Sequence, residues 1–375
     1  MKALFGGAYN GVRVLITGHS GFKGSWLTYW LERMGAKVAG YGLEPPTDPN
    51  HASLLQLDVE TVVGDIRDGT ALQRLFTTFE PEIVFHLAAQ ATVRTAYEKP
   101  VETFEVNVLG TLNLFEACRA TPSVRAVVNV TSDKCYENRE WDWGYRESDA
   151  IGGHDPYSAS KGCSELLTAS YRASYFTPKV ALGERSVLLA SCRAGNVIGG
   201  GDWAPDRLLP DFVRAVVASA SVEIRSPAAT RPWQHVLEPL SGYLLVGERL
   251  LAGDGKAATA WNFGPDAGGT MTVADVASAV SRRWPGFSFT IKEENATVHE
   301  AGMLSLDCSK ARRHLGWQSV WDSDETFNRT VNWYRQFYQR GELVTGADLE
   351  AFITAGRQSS AWWLCHDCDN TALPE

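Results

Sequence analysis

The chain is expected to fold as an α/β protein, a doubly wound parallel sheet with a smaller C-terminal lobe over the carboxyl ends of its strands. Three observations predict this. Short apolar segments alternate with segments of helical period as far as about residue 190; a glycine-rich turn joins the first strand to the first helix; and beyond about residue 192 the alternation weakens while Gly, Pro and Trp become frequent. Such alternation implies a parallel sheet covered on both faces, and right-handed crossovers give the doubly wound topology.

The elements follow in order. Val12–Thr17 is a short apolar run, and Phe22–Met34 carries Trp26, Leu27, Trp30 and Leu31 at helical spacing. Lys37–Leu43 reads as a second strand, closed by Pro45, Pro46 and Pro49, which cannot join a ladder. Thr61–Val63, Ile83–Leu87 and Ala126–Val130 read as further buried strands, with helical patterns at 69–79 and 101–119 between them. A long helix over Tyr157–Tyr175 and a strand over Ser186–Ala190 complete the series. The first lobe is expected over 11–191 with a returning segment at about 230–262, the second over 192–229 and 263–345, and a tail over 346–375. Trp333, Tyr334, Phe337 and Tyr338 suggest an amphipathic helix packed on the sheet.

Composition narrows the function classes. The chain has 375 residues, 44% hydrophobic and 21% charged, which suits a globular enzyme with a large core. A net charge of -9 argues against a general nucleic-acid binder. The 7 Cys are odd in number and scattered, the pattern of reduced thiols rather than a disulfide framework. No apolar run reaches the roughly 18 residues of a membrane span, and the opening residues lack the features of a secretory signal. A cytoplasmic protein without a membrane partner is expected. Cys365, His366 and Cys368 cluster too few ligands for a structural zinc, so no metal is expected.

The turn Gly18-His19-Ser20-Gly21-Phe22-Lys23-Gly24 leaves a strand and opens a helix. Glycines at this spacing permit a tight turn and close approach of backbone to a pyrophosphate resting on the helix N-terminus. An acid that grips the adenosine ribose belongs about 20 residues further on, at the end of the second strand. That strand end reads Tyr41-Gly42-Leu43-Glu44, so Glu44 is the nearest acid, and it is equally well read as a solvated loop carboxylate. No Lys or Arg lies between Lys37 and Arg67 to meet a 2′-phosphate, which favours NAD over NADP. Asp65, beside Ile66, is a candidate partner for adenine, and Leu87, Ala88 and Ala89 offer small residues against which the cofactor can lie.

Ser132, Asp133, Lys134, Tyr157 and Lys161 form the chemical constellation. A strand-borne Ser, a helix-borne Tyr and a Lys one turn further on can converge on one alcohol. The Lys lowers the phenol pKa, so the Tyr can take a hydroxyl proton while hydride leaves the same carbon. The Asp–Lys pair is surplus to simple alcohol oxidation and suggests a second chemical act.

Gly18-x-x-Gly21-x-x-Gly24, His86-Leu87-Ala88-Ala89, Asn107-Val108-x-Gly110-Thr111 and Tyr157-x-x-x-Lys161 together resemble the extended short-chain dehydrogenase/reductases, the Rossmann-type nucleotide-sugar epimerases and dehydratases. The resemblance runs from about residue 11 to 340. Within that group, Thr17–Trp26, Thr131–Asn138, Asp155–Lys161 and Arg193–Trp203 resemble the 4,6-dehydratases of CDP-glucose, chiefly because Ser-Asp-Lys stands where other sugar dehydratases carry Thr-Asp-Glu. The resemblance implies a nucleotide-sugar substrate and NAD retained as a prosthetic group. Tyr157 would take the C4 hydroxyl proton, Ser132 would bind that oxygen, and Lys161 would stabilise the phenolate. Lys134 would take the C5 proton and Asp133 would protonate the departing C6 hydroxyl, with hydride returning to C6. A Lys beside an acid normally holds its proton more tightly, so a structural ion pair and an ammonium stabilising an enolate stand as alternatives for Lys134.

The resemblance also implies substrate contacts from Asn196 and Arg231, the latter a forked guanidinium suited to a pyrophosphate. Arg207 is a further candidate, equally a surface ion pair, and Gln90 and Arg94 are placed to border the hexose. Asn107 reads better as a structural tie than as a ligand contact. Helices 101–119 and 157–175 match those that join subunits in this group, implying a homodimer or a dimer of dimers. An epimerase acting on a CDP-, dTDP-, GDP- or UDP-hexose would need Ser132, Tyr157 and Lys161 but not the Asp133–Lys134 pair. A non-catalytic dinucleotide binder would need none of the five.

Overall fold

Strands with apolar residues on both faces must be covered on both, and the sequence between them supplies the helices to do it. A computed structural model describes residues 1–176, 187–224, 226–265, 269–292, 303–359 and 361. The strands are β1 (Arg13–Thr17), β2 (Lys37–Gly42), β3 (Glu60–Val63), β4 (Ile83–His86), β5 (Ala126–Val130), β6 (Leu188–Ala194), β7 (Asn196–Ile198), β8 (Ser221–Ile224), β9 (Thr230–His235), β10 (Ala260–Phe263), β11 (Thr270–Thr272) and β12 (Ser288–Ile291). Seven of them form one sheet in the order β10-β6-β5-β4-β1-β2-β3. Every neighbouring pair in it is parallel.

Alternation decides which layer each strand residue joins. Val14 and Ile16 of β1 enter a core shared with Trp26, Trp30, Leu240 and Leu244, so helices Phe22–Arg33 and Leu237–Leu251 cover one face. Leu15, Val84, Val127 and Leu189 point the other way, onto Leu72, Phe76, Phe115 and Tyr171 of helices Gly69–Phe79, Gly110–Ala120 and Pro156–Ser174. The chain leaves β1 toward β2 and β3, then crosses back to β4 on the other side. The reversal opens a crevice beyond the carboxyl ends of β1 and β4, where open α/β sheets bind ligands.

Outside the large sheet lie the small sheet β11-β9-β7 and the parallel pair β12-β8, so β9 pairs with β7 and β11 and the segment expected to return at 230 does not begin in the large sheet. β10 returns to the large sheet, Ala260 opposite Ser191. Three local readings need correction. β3 is not a buried strand: it is the sheet edge, and Val63 is 57% exposed. The 101–119 helix is broken into Pro100–Phe104, a π turn at Glu105–Leu109 and Gly110–Ala120. The aromatic helix, Ser323–Arg340, packs on the second lobe rather than the large sheet: Tyr334 donates to Asp202 O at 2.6 Å and Trp333 lies against Gly200. A helix, Thr345–Gln358, occupies the start of the expected tail, with Phe352 buried against Trp30 and Trp321. Cys365, His366 and Cys368 lie outside the described residues. Among the described residues no helix is long and apolar enough to cross a membrane.

Candidate active site

Four chain segments leave the carboxyl edge of the sheet side by side: the turn after β1, the loop after β4, the turn after β5 and the link from β6 to β7. The first has the close approach a dinucleotide turn needs. Gly18 has φ +74° and its Cα lies so near the loop after β4 that a Cβ would stand 2.7 Å from Ala88 N. A Cβ on Gly24 would overlap Gly18 O, so the helix Phe22–Arg33 starts directly against the turn. This glycine-lined cradle at a helix N-terminus fits the pyrophosphate of a dinucleotide. Ser20 donates to Leu43 O at 3.0 Å, tying the turn to the end of β2. The His19 ring folds onto Gly40 of β2, and burial lowers its pKa. Phe22 is half-buried at the start of the helix.

The adenosine end is less defined by acids. β2 ends on Gly42, and Glu44 is exposed beyond it. The Asp65 carboxylate is bonded to Arg67 at 2.6 Å, which lowers its pKa, and Arg67 also reaches Glu105 at 3.2 Å. Ile66 is buried in the core under Gly110. Leu87, Ala88 and Ala89 line the start of the loop after β4, each half-buried. That loop is held from below by His86: Thr111 already donates to Asn107 O (2.8 Å), so His86 Nε2 donates to Thr111 Oγ1 (3.0 Å) and Nδ1 accepts from Thr17 Oγ1 (2.6 Å).

The catalytic helix begins where the sequence signals it. Asp155 caps Ser158 N at 3.0 Å and Pro156 takes the first turn. Tyr157 and Lys161 therefore sit on its first two turns and are both buried. Ser132 follows β5 and caps the short 3-10 turn Asp133–Cys135, its Oγ 3.2 Å from Lys134 N and 3.0 Å from Asp133 Oδ1. Burial pushes the Tyr157 phenol up to about 12, while the Ser132 hydroxyl and Arg207 pull it down. Burial also lowers Lys161 to about 8, with Glu165 opposing the fall. Asp133 has its pKa raised by burial, against the pull of Lys134, Ser132, Lys23 and Arg231. A carboxyl kept toward its protonated form is suited to donate a proton.

Lys23, expected only as part of the glycine turn, reaches into this pocket. Its Nζ stands 3.5 Å from Tyr243 OH, and burial together with Arg207 lowers it to about 8. Tyr243 was not legible as a site residue, because it lies on the distant helix Leu237–Leu251 and reads as core.

The expected substrate residues divide. Arg207 pairs with Asp202 at 2.9 Å and still acts electrostatically on Tyr157. Arg231 lies on β9, donates to Thr230 O at 2.8 Å and is close enough to Asp133 to lower its pKa. Asn196 opens β7, half-buried. Arg94 is turned to an exposed ion pair with Asp206 at 2.7 Å. The Gln90 amide is engaged by Thr103 (2.9 Å) and Thr92 N (2.5 Å). Asn107 ties this loop to the catalytic helix, accepting from Gln90 N at 2.9 Å and donating to Ser160 Oγ at 2.8 Å.

A doubly wound sheet, a glycine cradle at its switch point and a Ser–Tyr–Lys cluster beside it define a dinucleotide-dependent enzyme of the nucleotide-sugar epimerase and dehydratase type. The chain matches the GDP-mannose 4,6 dehydratase family model over residues 15–330 and belongs to that family. It is 49% identical over 336 residues to CDP-glucose 4,6-dehydratase of Salmonella typhimurium, covering 89% of this chain and 93% of the relative. Among solved structures, UDP-glucose 4-epimerase of Thermus thermophilus, a complex with NAD, superposes with TM-score 0.75 at 26% identity, over 86% of this chain and 99% of that one. dTDP-glucose 4,6-dehydratase of Bacillus anthracis shares the fold, with TM-score 0.74 at 18% identity over 88% of this chain and 98% of that one.

Proposed function

We propose that this chain is an NAD-dependent hydro-lyase that converts CDP-D-glucose to CDP-4-dehydro-6-deoxy-D-glucose. The observation that carries the reading is the Asp133–Lys134 pair directly after Ser132, with Ser132, Asp133 and Tyr157 buried and Lys134 half-buried, in a chain 49% identical to a CDP-glucose 4,6-dehydratase. The turn Gly18–Gly24, Leu87–Ala89, Tyr157 and Lys161 would hold NAD, with Asp65 and Ile66 at the adenine end. When bound, NAD would supply a reversible acceptor and donor of hydride for sugar C4 and C6.

The chain's own residues manage the protons. Tyr157 accepts the C4 hydroxyl proton and Ser132 bonds the same oxygen. The Lys161 ammonium favours the phenolate that burial disfavours. The C4 ketone acidifies the C5 proton, which Lys134 removes, while Asp133, held toward its protonated form, donates to the departing C6 hydroxyl. Arg231, Arg207 and Asn196 face the nucleotide-sugar phosphates, and Gln90 and Arg94 border the hexose.

The reading extends to assembly and compartment. Val101, Leu109 and Leu166 are 70%, 52% and 60% exposed on the two helices expected at a subunit contact, which supports a homodimer. A monomeric sedimentation mass at roughly micromolar concentration, where interfaces of standard size hold, would contradict it. No disulfide joins Cys135, Cys163, Cys192 or Cys308, in keeping with a cytoplasmic enzyme.

Incubation with CDP-, dTDP-, GDP- and UDP-glucose side by side tests the substrate. Release of the 4-keto-6-deoxy product is expected with the CDP sugar first. Equal or faster turnover of another nucleotide would overturn the choice of base.

A further inference from the structure

The residues just described must converge within a fraction of an ångström, yet they come from a strand end, a 3-10 turn and a helix. One carboxylate, carried by that helix, bonds the strand end directly and reaches the turn through Arg193 and Tyr136. Glu165 lies one turn beyond Lys161 on the catalytic helix, and its side chain is 3% exposed. Its Oε1 accepts from Thr131 Oγ1 at 2.5 Å, and Thr131 immediately precedes Ser132. Its Oε2 accepts from Ser191 Oγ at 2.8 Å and from Arg193 Nη2 at 2.7 Å, both on β6. Arg193 Nη1 continues to Tyr136 OH at 2.6 Å, which caps the turn of Asp133 and Lys134 and itself donates to Asn262 Oδ1 at 2.8 Å.

We propose that Glu165 and Thr131 are positioning residues, which register the Ser132–Asp133–Lys134 segment against the Tyr157 and Lys161 helix through one buried hydrogen bond. None of the groups involved is placed on substrate or cofactor by the mechanism above, and the proposal rests on that mechanism. Physical reason favours this bond over its neighbours. A second tie between the same strand and helix, Asn129 Nδ2 to Thr168 Oγ1 at 2.8 Å and to Ser164 Oγ at 3.2 Å, leaves the strand two residues before Thr131 and does not adjoin Ser132. The Thr131 bond adjoins Ser132 directly, so its loss lets the serine drift with the strand end. Misplacement of a catalytic group by about an ångström can lower a rate on the order of a hundredfold.

The test compares four full-length forms: wild type, Thr131→Val, Thr131→Ser and Thr168→Val. Thr131→Val is expected to lower kcat on CDP-glucose at least about tenfold with KM unchanged within about twofold, Thr131→Ser to restore it, and Thr168→Val to retain it while lowering Tm. A kcat for Thr131→Val equal to wild type would overturn the proposal. So would losses in Thr131→Val and Thr168→Val that simply track Tm, or a Thr131→Ser variant as slow as Thr131→Val. Backbone hydrogen exchange over residues 126–136 is read in the same forms and needs no substrate. Faster exchange in Thr131→Val alone is expected, and unchanged exchange contradicts the clamp. If wild type itself fails on CDP-glucose, the function is wrong and the exchange result still decides the clamp.

Discussion

Behind the catalytic helix, Glu165 and Arg193 pair at 2.7 Å with side chains 3% and 4% exposed; across the lobes, Arg94 and Asp206 pair at the same 2.7 Å with side chains 66% and 46% exposed. Equal distances carry unequal meaning. Removing one partner of a buried pair strands a charge and costs about 3–5 kcal/mol, whereas an exposed pair contributes roughly 0–1 kcal/mol. In the proposed mechanism the first region frames the proton chemistry. The second is a solvated pair beside the proposed hexose site, cheap to break. Chemistry and recognition are therefore built on different parts of the energy scale, and substitutions separate them.

The largest effects are expected in the frame. Tyr157→Phe should lose both C4 oxidation and product formation, by about 10²–10⁴-fold, the range for a lost general base. Lys134→Ala should lose product to a similar degree yet still reduce NAD in the presence of substrate, visible as absorbance at the wavelength of NADH. Full dehydration by Lys134→Ala would remove the base role and leave the ion-pair reading. Next comes the cradle. Gly24→Ala places a methyl group into Gly18 O and should weaken NAD binding more than about tenfold by titration calorimetry, with the backbone of the turn displaced. Wild-type affinity would mean that the turn is not where the pyrophosphate rests.

Recognition should break more gently. Arg231→Ala should raise KM about tenfold or more with kcat within about threefold, as expected for lost phosphate binding that is uniform through the reaction. Arg94→Ala, by comparison, should move Tm hardly at all. A large kcat loss in Arg231→Ala would place it with the proton chemistry, through its action on Asp133.

A separate signal, in stability rather than rate, is a slope with pH. His51, His86 and His235 are buried and each is lowered to about 3, whereas an unfolded histidine titrates near 6.5. A depressed histidine leaves the unfolded state holding more protons, so its stabilisation is full above about pH 6.5 and is lost as pH falls toward 3. Each buried histidine should subtract on the order of 1 kcal/mol per pH unit across that window, read as a falling Tm in calorimetry. His51→Gln should flatten the slope. A Tm that is level from pH 7 to 5 would contradict the burial of all three.

Legibility in the sequence followed the same division. Val14, Leu15 and Ile16 alternate into two covered faces, so the sheet, its switch point and the turn Gly18–Gly24 could be read from period and glycine spacing. Ser132, Tyr157 and Lys161 were readable because local geometry brings them together: a strand end and the first two turns of one helix. Glu165 left only a weak trace, four residues past Lys161, because its partners Thr131 and Ser191 come from different strands. Lys23 meeting Tyr243 left none, since 220 residues separate them. Arg94 and Gln90 were placed correctly after β4, but the sequence had no means to show their engagement with Asp206, Thr92 and Thr103. The edge position of β3 left a partial trace, since Glu60 and Thr61 are polar while Val62 and Val63 read as a buried strand.

The central claim is that one hydride moves within a single sugar, from C4 to C6, while Tyr157, Lys134 and Asp133 shuttle the protons. CDP-glucose bearing deuterium at C4 tests it most directly. The expected product carries the deuterium at C6, and in a mixture with C4-protio substrate whose hexose carries carbon-13 the deuterium stays with the carbon-12 molecules. A turned-over hexose that keeps deuterium at C4, deuterium lost to solvent, or deuterium found in the carbon-13 product would contradict it.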